Sequence, residues 1–206
     1  MIKDRAKIER QLWNEGFKRV MGIDEVGRGC LSGPVVAAGV IFKEGVEIKG
    51  IKDSKQINER NRLILEEEIK EKALFYTIQE GTLREIFDLN ILWASINTMQ
   101  KCAEEQDAKP DYLLIDGNRY TSSFTPHSCI IKGDDKSISI GAASILAKNY
   151  RDRYMKRLHK EYPEFGWDKN VGYPTPKHKK ALEEFGITPH HRVGFNLGTQ
   201  KKYQKG

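Results

Sequence analysis

The feature that most restricts how this chain can fold is a repeated one: short apolar runs of strand length that each stop on a carboxylate. VMGIDE (20–25) ends on Asp24 and Glu25, YLLID (112–116) on Asp116, and SCIIKGD (128–134) on Asp134. Apolar runs this short, bounded by glycine or acid, read as strands buried on both faces. PVVAAGVIF (34–42) reads as another, close enough to the first to pair with it as a hairpin around the glycines at 27–29. ALFYTIQEG (73–81) alternates enough to be a further strand. The periodicity predicts helices over 5–18, with Ile8, Leu12 and Trp13 near one face, and over 58–72, with Asn58 as N-cap and Leu63, Ile64 and Ile69 available for burial. A helix over 83–106 is expected to break near Asp88 and Asn90, and a short one lies near 176–185. A long helix is expected from Ser137 to His159, at first small and apolar (IGAASILA), then strongly basic (KNYRDRYMKRLHK). Three early strands followed by alternating strand and helix indicate an α/β domain with a mixed sheet.

A length of 206 residues fits one compact unit, and no repeat or Pro/Ser-rich linker divides it. Residues from about 160 to 206 are expected to form a C-terminal extension packed on that unit. No stretch approaches 18 consecutive apolar residues, so no membrane partner is expected, and the charged N-terminus lacks the apolar segment of a secretory signal. Cys30, Cys102 and Cys129 follow no CxxC spacing, which argues against a disulfide framework or a zinc site and fits a cytoplasmic location. The formal charge of +6 is unevenly spread: residues 148–206 carry 14 Lys and Arg against 6 Asp and Glu, with four of the five histidines. Such asymmetry points to a polyanionic partner. Arg151, Arg153, Lys156 and Arg157 then read as a phosphate-facing stripe on the long helix.

An acid after a strand often serves only as a turn former or helix cap, and Asp135, two residues before Ser137, reads that way. Several strand-end acids meeting at one sheet edge would instead repel by several kcal/mol unless a cation neutralises them. Oxygen-only ligands favour Mg²⁺ or Mn²⁺, and two such ions about 3.5–4 Å apart suit phosphodiester hydrolysis. Neighbouring side chains on a regular strand point to opposite faces, so Asp24 and Glu25 should not both face one metal pair. Either the strand ends or bulges there, or Glu25 offers another ligating atom. The GRG that follows at 27–29 lets backbone approach a ligand closely, as at a phosphate or a sugar hydroxyl, or is a plain tight turn.

The run GIDEVGRGCLSGPVVAAGV (22–40) closely resembles the signature of bacterial ribonuclease HII. The resemblance continues in family order through IKDSKQIN (51–58), LLIDGNR (113–119), IIKGDDKSISIGAASILAKNYRDRYM (130–155), VGYPTPKH (171–178) and HHRVGF (190–195). It implies an RNase H-like fold, a mixed five-stranded sheet flanked by helices with a C-terminal helical extension, and a protein that works as a monomer. It also implies metal-dependent cleavage of the RNA strand of RNA–DNA hybrids and of duplex DNA carrying single ribonucleotides. Its catalytic, metal-holding acids fall on Asp24, Glu25, Asp116 and Asp134. Its 2′-hydroxyl-sensing element falls on Gly27, Arg28 and Gly29, the tyrosine against the junction nucleotide on Tyr173, and a backbone-phosphate contact on Lys55. The alternative is a non-catalytic, basic nucleic-acid-binding protein.

Overall fold

The computed structural model describes residues 4–51, 57–121 and 123–197. Helix α1 (Lys7–Asn14) leads into β1 (Val20–Val26) and β2 (Val35–Phe42), followed by α2 (Glu59–Lys72), β3 (Ala73–Gly81) and α3 (Leu83–Ala103). Then come β4 (Tyr112–Asp116), β5 (His127–Ile130), the long α4 (Ile138–Glu161), the single-turn α5 (Trp167–Asn170) and α6 (Pro176–Phe185). The five strands form one mixed sheet in the order β3-β2-β1-β4-β5. Antiparallel pairing joins β3, β2 and β1, and parallel pairing joins β1, β4 and β5.

Strands β1 and β2 are the apolar runs because helices cover both of their faces. Met21, Ile23, Ala37 and Ile41 pack against Ile96 and Met99 of α3. Val36, Ala38 and Val40 pack against Ala142, Ile145 and Leu146 of α4. The first turns of α4 come unusually close to β1: a Cβ at Gly22 would lie 2.3 Å from Ile140 N, so only glycine lets the helix rest there. That approach sets the segment before α4 beside the C-terminal end of β1.

Several boundaries differ from expectation, each for a local reason. Helix α1 ends near Asn14, where the chain turns through Gly16 at φ +103°. The expected break in α3 falls at Asn90, φ 65°, whose Oδ1 accepts from Leu92 N and Trp93 N and caps the second half. Strand β5 stops at Ile130, and the residues up to Asp134 turn through left-handed Lys132 into a 3-10 turn, Gly133–Asp135. Ser137 is the N-cap of α4, its side chain accepting from Ile140 N.

The expectation for α2 is corrected on its buried face. Leu63 and Ile64 are 42% and 60% exposed, and Arg62, Leu65, Glu66 and Ile69 turn inward. Polar groups occupy that face because α4 supplies their partners. Arg62 donates to Asn149 Oδ1 (3.0 Å) and Asp152 Oδ2 (2.8 Å), and Arg153 forks onto both Glu66 oxygens at 2.7 and 2.9 Å. Burial pushes the Glu66 carboxyl up, but Arg153, Lys70 and Asn149 outweigh it and hold the group at about 2. Beyond the sheet, Met155 and Leu158 of α4 gather Leu31, Phe165, Trp167 and Leu182 into a separate apolar cluster.

Candidate active site

The ladder between β1 and β4 ends at the pair Ile23–Ile115, so residues 24–26 and Asp116 border a fork at the C-terminal ends of two parallel strands. Such forks are where α/β sheets collect ligands. Asp24 is buried on the α4 face. Burial pushes its carboxyl well above the ordinary range; Glu25, Asp116 and Asp134 push the same way, and a hydrogen bond with Ser144 opposes them. Glu25 is also raised by burial, opposed by Arg28, whose Nη1 stands 3.3 Å from its Oε1, and raised again by Asp116. Asp24 therefore feels the charge of three other acids, the farthest 110 positions away in the chain. Asp116 Oδ1 accepts from Gly133 N at 2.7 Å, which ties the end of β4 to the turn carrying Asp134.

Strand β1 keeps its register with β2 through Val26, with no bulge. Alternation therefore leaves Asp24 on the α4 face and Glu25 on the α3 face, where Glu25, Arg28, Asp116, Asn118 and Arg119 line a cavity of about 220 Å³. Among the described residues, no three His, Cys, Asp or Glu side chains are already drawn to ligand distance around one point. Of the four acids, Glu25 and Asp116 border that cavity. Their mutual repulsion and all-oxygen chemistry fit a hard divalent cation, which would neutralise charge that the fold leaves unbalanced.

The loop after β1 is held by two buried arginines. Gly27 takes φ +99°, and a Cβ there would lie 2.3 Å from Arg151 Nε, so glycine is needed for both backbone and space. Arg151 donates to the carbonyls of Ser32 (2.9 Å), Pro34 (3.0 Å) and Val171 (2.7 Å). Arg192 donates to those of Arg28 (3.1 Å) and Gly33 (2.9 Å). Leu31 N also donates to Gly172 O and Gly33 N to His190 O, so the loop is stitched between the 171–173 and 190–192 segments. A methyl at Gly29 would rest 3.6 Å from Tyr173 Cε1, which places Tyr173 beside GRG.

Tyr173 is fixed from behind by a buried histidine pair. His178 Nδ1 donates to Tyr173 O (2.9 Å), and its Nε2 accepts from Trp167 Nε1 (3.2 Å). His191 Nδ1 accepts from Thr188 N, so its Nε2–H points at His178 Nε2, 3.1 Å away. These tautomers follow from the partners and require both rings to be neutral. Burial, reinforced by His178, pushes His191 down to about 4. The folded chain then binds fewer protons than the unfolded one between pH 6.5 and 4, so stability falls as pH drops through that window, by on the order of 3 kcal/mol from this group. Thermal melts should show that loss, and His191→Gln should shrink it. An unchanged acid slope in the variant would contradict the neutral pair.

The basic stripe is corrected in part. Arg151 does not face solvent: it is 1% exposed, and its guanidinium is committed to main-chain carbonyls. Arg153 is paired with Glu66, Lys156 with Glu59 (2.5 Å), and Arg157 lies over the Tyr154 ring at 5.6 Å. Lys55 lies outside the described residues. Arg192, His178 and His191 had no assigned role from sequence, although all three fall within VGYPTPKH and HHRVGF.

The family profile described as Ribonuclease HII matches residues 21–198. A protein named Ribonuclease HII from Salinibacter ruber is 48% identical over 193 residues, covering 92% of this chain and 96% of its own length. The crystal structure of the ribonuclease H2 from Pyrococcus horikoshii superposes with a TM-score of 0.75 at 27% identity, covering 88% of this chain and 95% of that one. Bst-RNase HIII in complex with Mn²⁺ superposes with a TM-score of 0.66 at 19% identity, over 95% of this chain and 71% of that one, a likeness of fold.

Proposed function

Because the chain belongs to the ribonuclease HII family, we propose that it cuts RNA strands paired with DNA, and cuts 5′ to single ribonucleotides embedded in duplex DNA. The products are a 3′-hydroxyl and a 5′-phosphate. The observation that carries this reading is the meeting of Asp24, Glu25, Asp116 and Asp134 at one sheet edge, immediately beside GRG and Tyr173. Asp24 offers carboxylate oxygens from the α4 side, Glu25 and Asp116 line the cavity on the α3 side, and the bond from Gly133 N to Asp116 Oδ1 brings the turn carrying Asp134 to the same edge. Two divalent ions, Mg²⁺ or Mn²⁺, held by these acids would supply activation of a water and stabilisation of the leaving oxygen.

The chain's own residues do the rest. Arg192 fixes the Arg28 carbonyl, and with it the peptide plane leading into Gly29. That backbone is rigid when a ribose arrives and tests for the 2′-hydroxyl, the group that separates RNA from DNA. Tyr173, 37% exposed and anchored through its carbonyl, offers a ring against the sugar of the junction nucleotide. A deoxyribose leaves the sensing groups unpaired, a loss worth a hundredfold or more at about 1–3 kcal/mol per group together with misalignment.

The test is a labelled duplex carrying one ribonucleotide, compared with the all-DNA duplex, with and without Mg²⁺ or Mn²⁺. The expected result is a single nick 5′ to the ribonucleotide, only with metal, and at least about a hundredfold slower on DNA. Equal cutting of the all-DNA duplex would overturn the substrate assignment. Tight binding without cutting in either metal would favour the non-catalytic reading.

A further inference from the structure

We propose that the N-terminal segment Arg5–Asn14, which precedes the matched residues, is a positioning element for Asp134, acting through Arg5 and Glu9. The inference rests on the reading of Asp134 as a metal-holding acid. Asp134 sits on the tight turn Gly133–Asp135, between the end of β5 and the start of α4. The segment grips it on both sides.

On one side, Arg5 Nη1 donates to the Asp134 main-chain carbonyl at 3.0 Å, and Arg5 Nη2 donates to Asp135 Oδ1 at 2.5 Å. Ile138 N returns a bond to Arg5 O at 2.9 Å. A guanidinium suits this task because its planar fork serves two acceptors in fixed relation. Arg5 thus holds the acid next to Asp134 in an ion pair as well as the Asp134 main chain.

On the other side, Glu9 is 1% exposed. Its Oε1 accepts from Ser137 Oγ (2.5 Å), Ser139 N (3.0 Å) and Ser139 Oγ (2.6 Å). The first turn of α4 has no acid of its own. Glu9 therefore caps the helix from another element, satisfying one of the free amides and setting a negative charge at the positive end of the helix. The start of α4 and the turn before it are thereby locked to α1. Because Gly133 N also holds Asp116 Oδ1, a shift of this turn would disturb two of the four acids at once.

The test uses the full chain with Arg5→Ala, Arg5→Lys, Glu9→Gln and, in parallel, Asp134→Asn. Mn²⁺ affinity is read from the free-ion electron paramagnetic resonance signal, beside kcat, KM for the duplex and thermal melts. Partners that orient metal ligands typically change affinity by about 10–100-fold. Arg5→Ala and Glu9→Gln are thus expected to weaken Mn²⁺ binding about tenfold and to lower kcat while leaving KM for the duplex unchanged. Arg5→Lys should recover part of the loss, since a point charge cannot serve both acceptors in the same geometry. A purely structural role would lower the melting temperature and leave Mn²⁺ affinity as in the wild type; that result, with Asp134→Asn impaired, would overturn the positioning role. A silent Asp134→Asn would overturn the metal reading of Asp134 itself and this role with it. Arg5 is partly exposed, so its variants keep the test open where Glu9→Gln fails to fold.

Discussion

Asp24→Asn is expected to remove metal-dependent cleavage, by at least about a thousandfold, while raising the melting temperature of the metal-free protein. Both effects come from one geometry. Asp24 is buried and faces the charges of Glu25, Asp116 and Asp134. Its folded-state pKa lies above the unfolded value, so its contribution to stability is present at low pH and is lost as pH rises through the folded pKa. At neutral pH the metal-free fold therefore carries repulsion that asparagine relieves, at nearly the same volume. Relief of about 1–2 kcal/mol would raise the melting temperature by roughly 2–8 °C in a chain of this size. Cleavage moves the other way. A divalent ion supplies several kcal/mol of transition-state stabilisation, and each 1.36 kcal/mol is tenfold in rate. Wild-type turnover, or a lower melting temperature in the metal-free variant, would contradict this account of Asp24.

Arg151→Met should be among the most destabilising single changes in the protein. It strips hydrogen bonds from the carbonyls of Ser32, Pro34 and Val171, all beneath the GRG loop. Each buried carbonyl left unpaired costs about 1–3 kcal/mol, so a loss of about 3–5 kcal/mol and a fall in melting temperature of about 10 °C are expected. Discrimination between ribose and deoxyribose should fall with it, because Gly27 packs directly on the Arg151 side chain. The salt dependence of duplex binding should not change, since a guanidinium committed to the interior meets no phosphate. Arg157→Ala provides the contrast: exposed at the surface, it should flatten the slope of log affinity against log salt by about one per lost contact and leave the melting temperature nearly unchanged. A flattened slope for Arg151→Met at unchanged stability would reverse the two assignments.

The difference between these arginines explains how far the sequence could be read. The strand-end acids were legible because an apolar run stopped by a carboxylate is a local pattern with a local cause, and three such patterns imply convergence on one sheet edge. The break at Asn90 and the cap at Asn58 were legible for the same reason. Arg151 is not, because a charged side chain on a helix reads as exposed. Helical spacing held the missing signal: Ala147, Arg151, Met155 and Leu158 fall on one buried stripe of α4. Arg62 and Glu66 share a stripe with Leu65 and Ile69 in the same way, which is why Leu63 and Ile64 turned outward. The assignment of Asp135 depends on Arg5, 130 positions away, and the tautomers of His178 and His191 depend on each other and on Thr188. No local pattern carries relations of that kind; they exist only once the chain is folded.

The decisive measurement is anomalous diffraction from crystals of the protein soaked in Mn²⁺. The expected map has its peaks at the sheet edge among Asp24, Glu25, Asp116 and Asp134, about 2.1 Å from their carboxylate oxygens. Those peaks should be lost in Asp24→Asn. Manganese bound only elsewhere on the protein, or peaks among these acids that persist unchanged in Asp24→Asn, would contradict the assignment of this site as the hydrolytic centre.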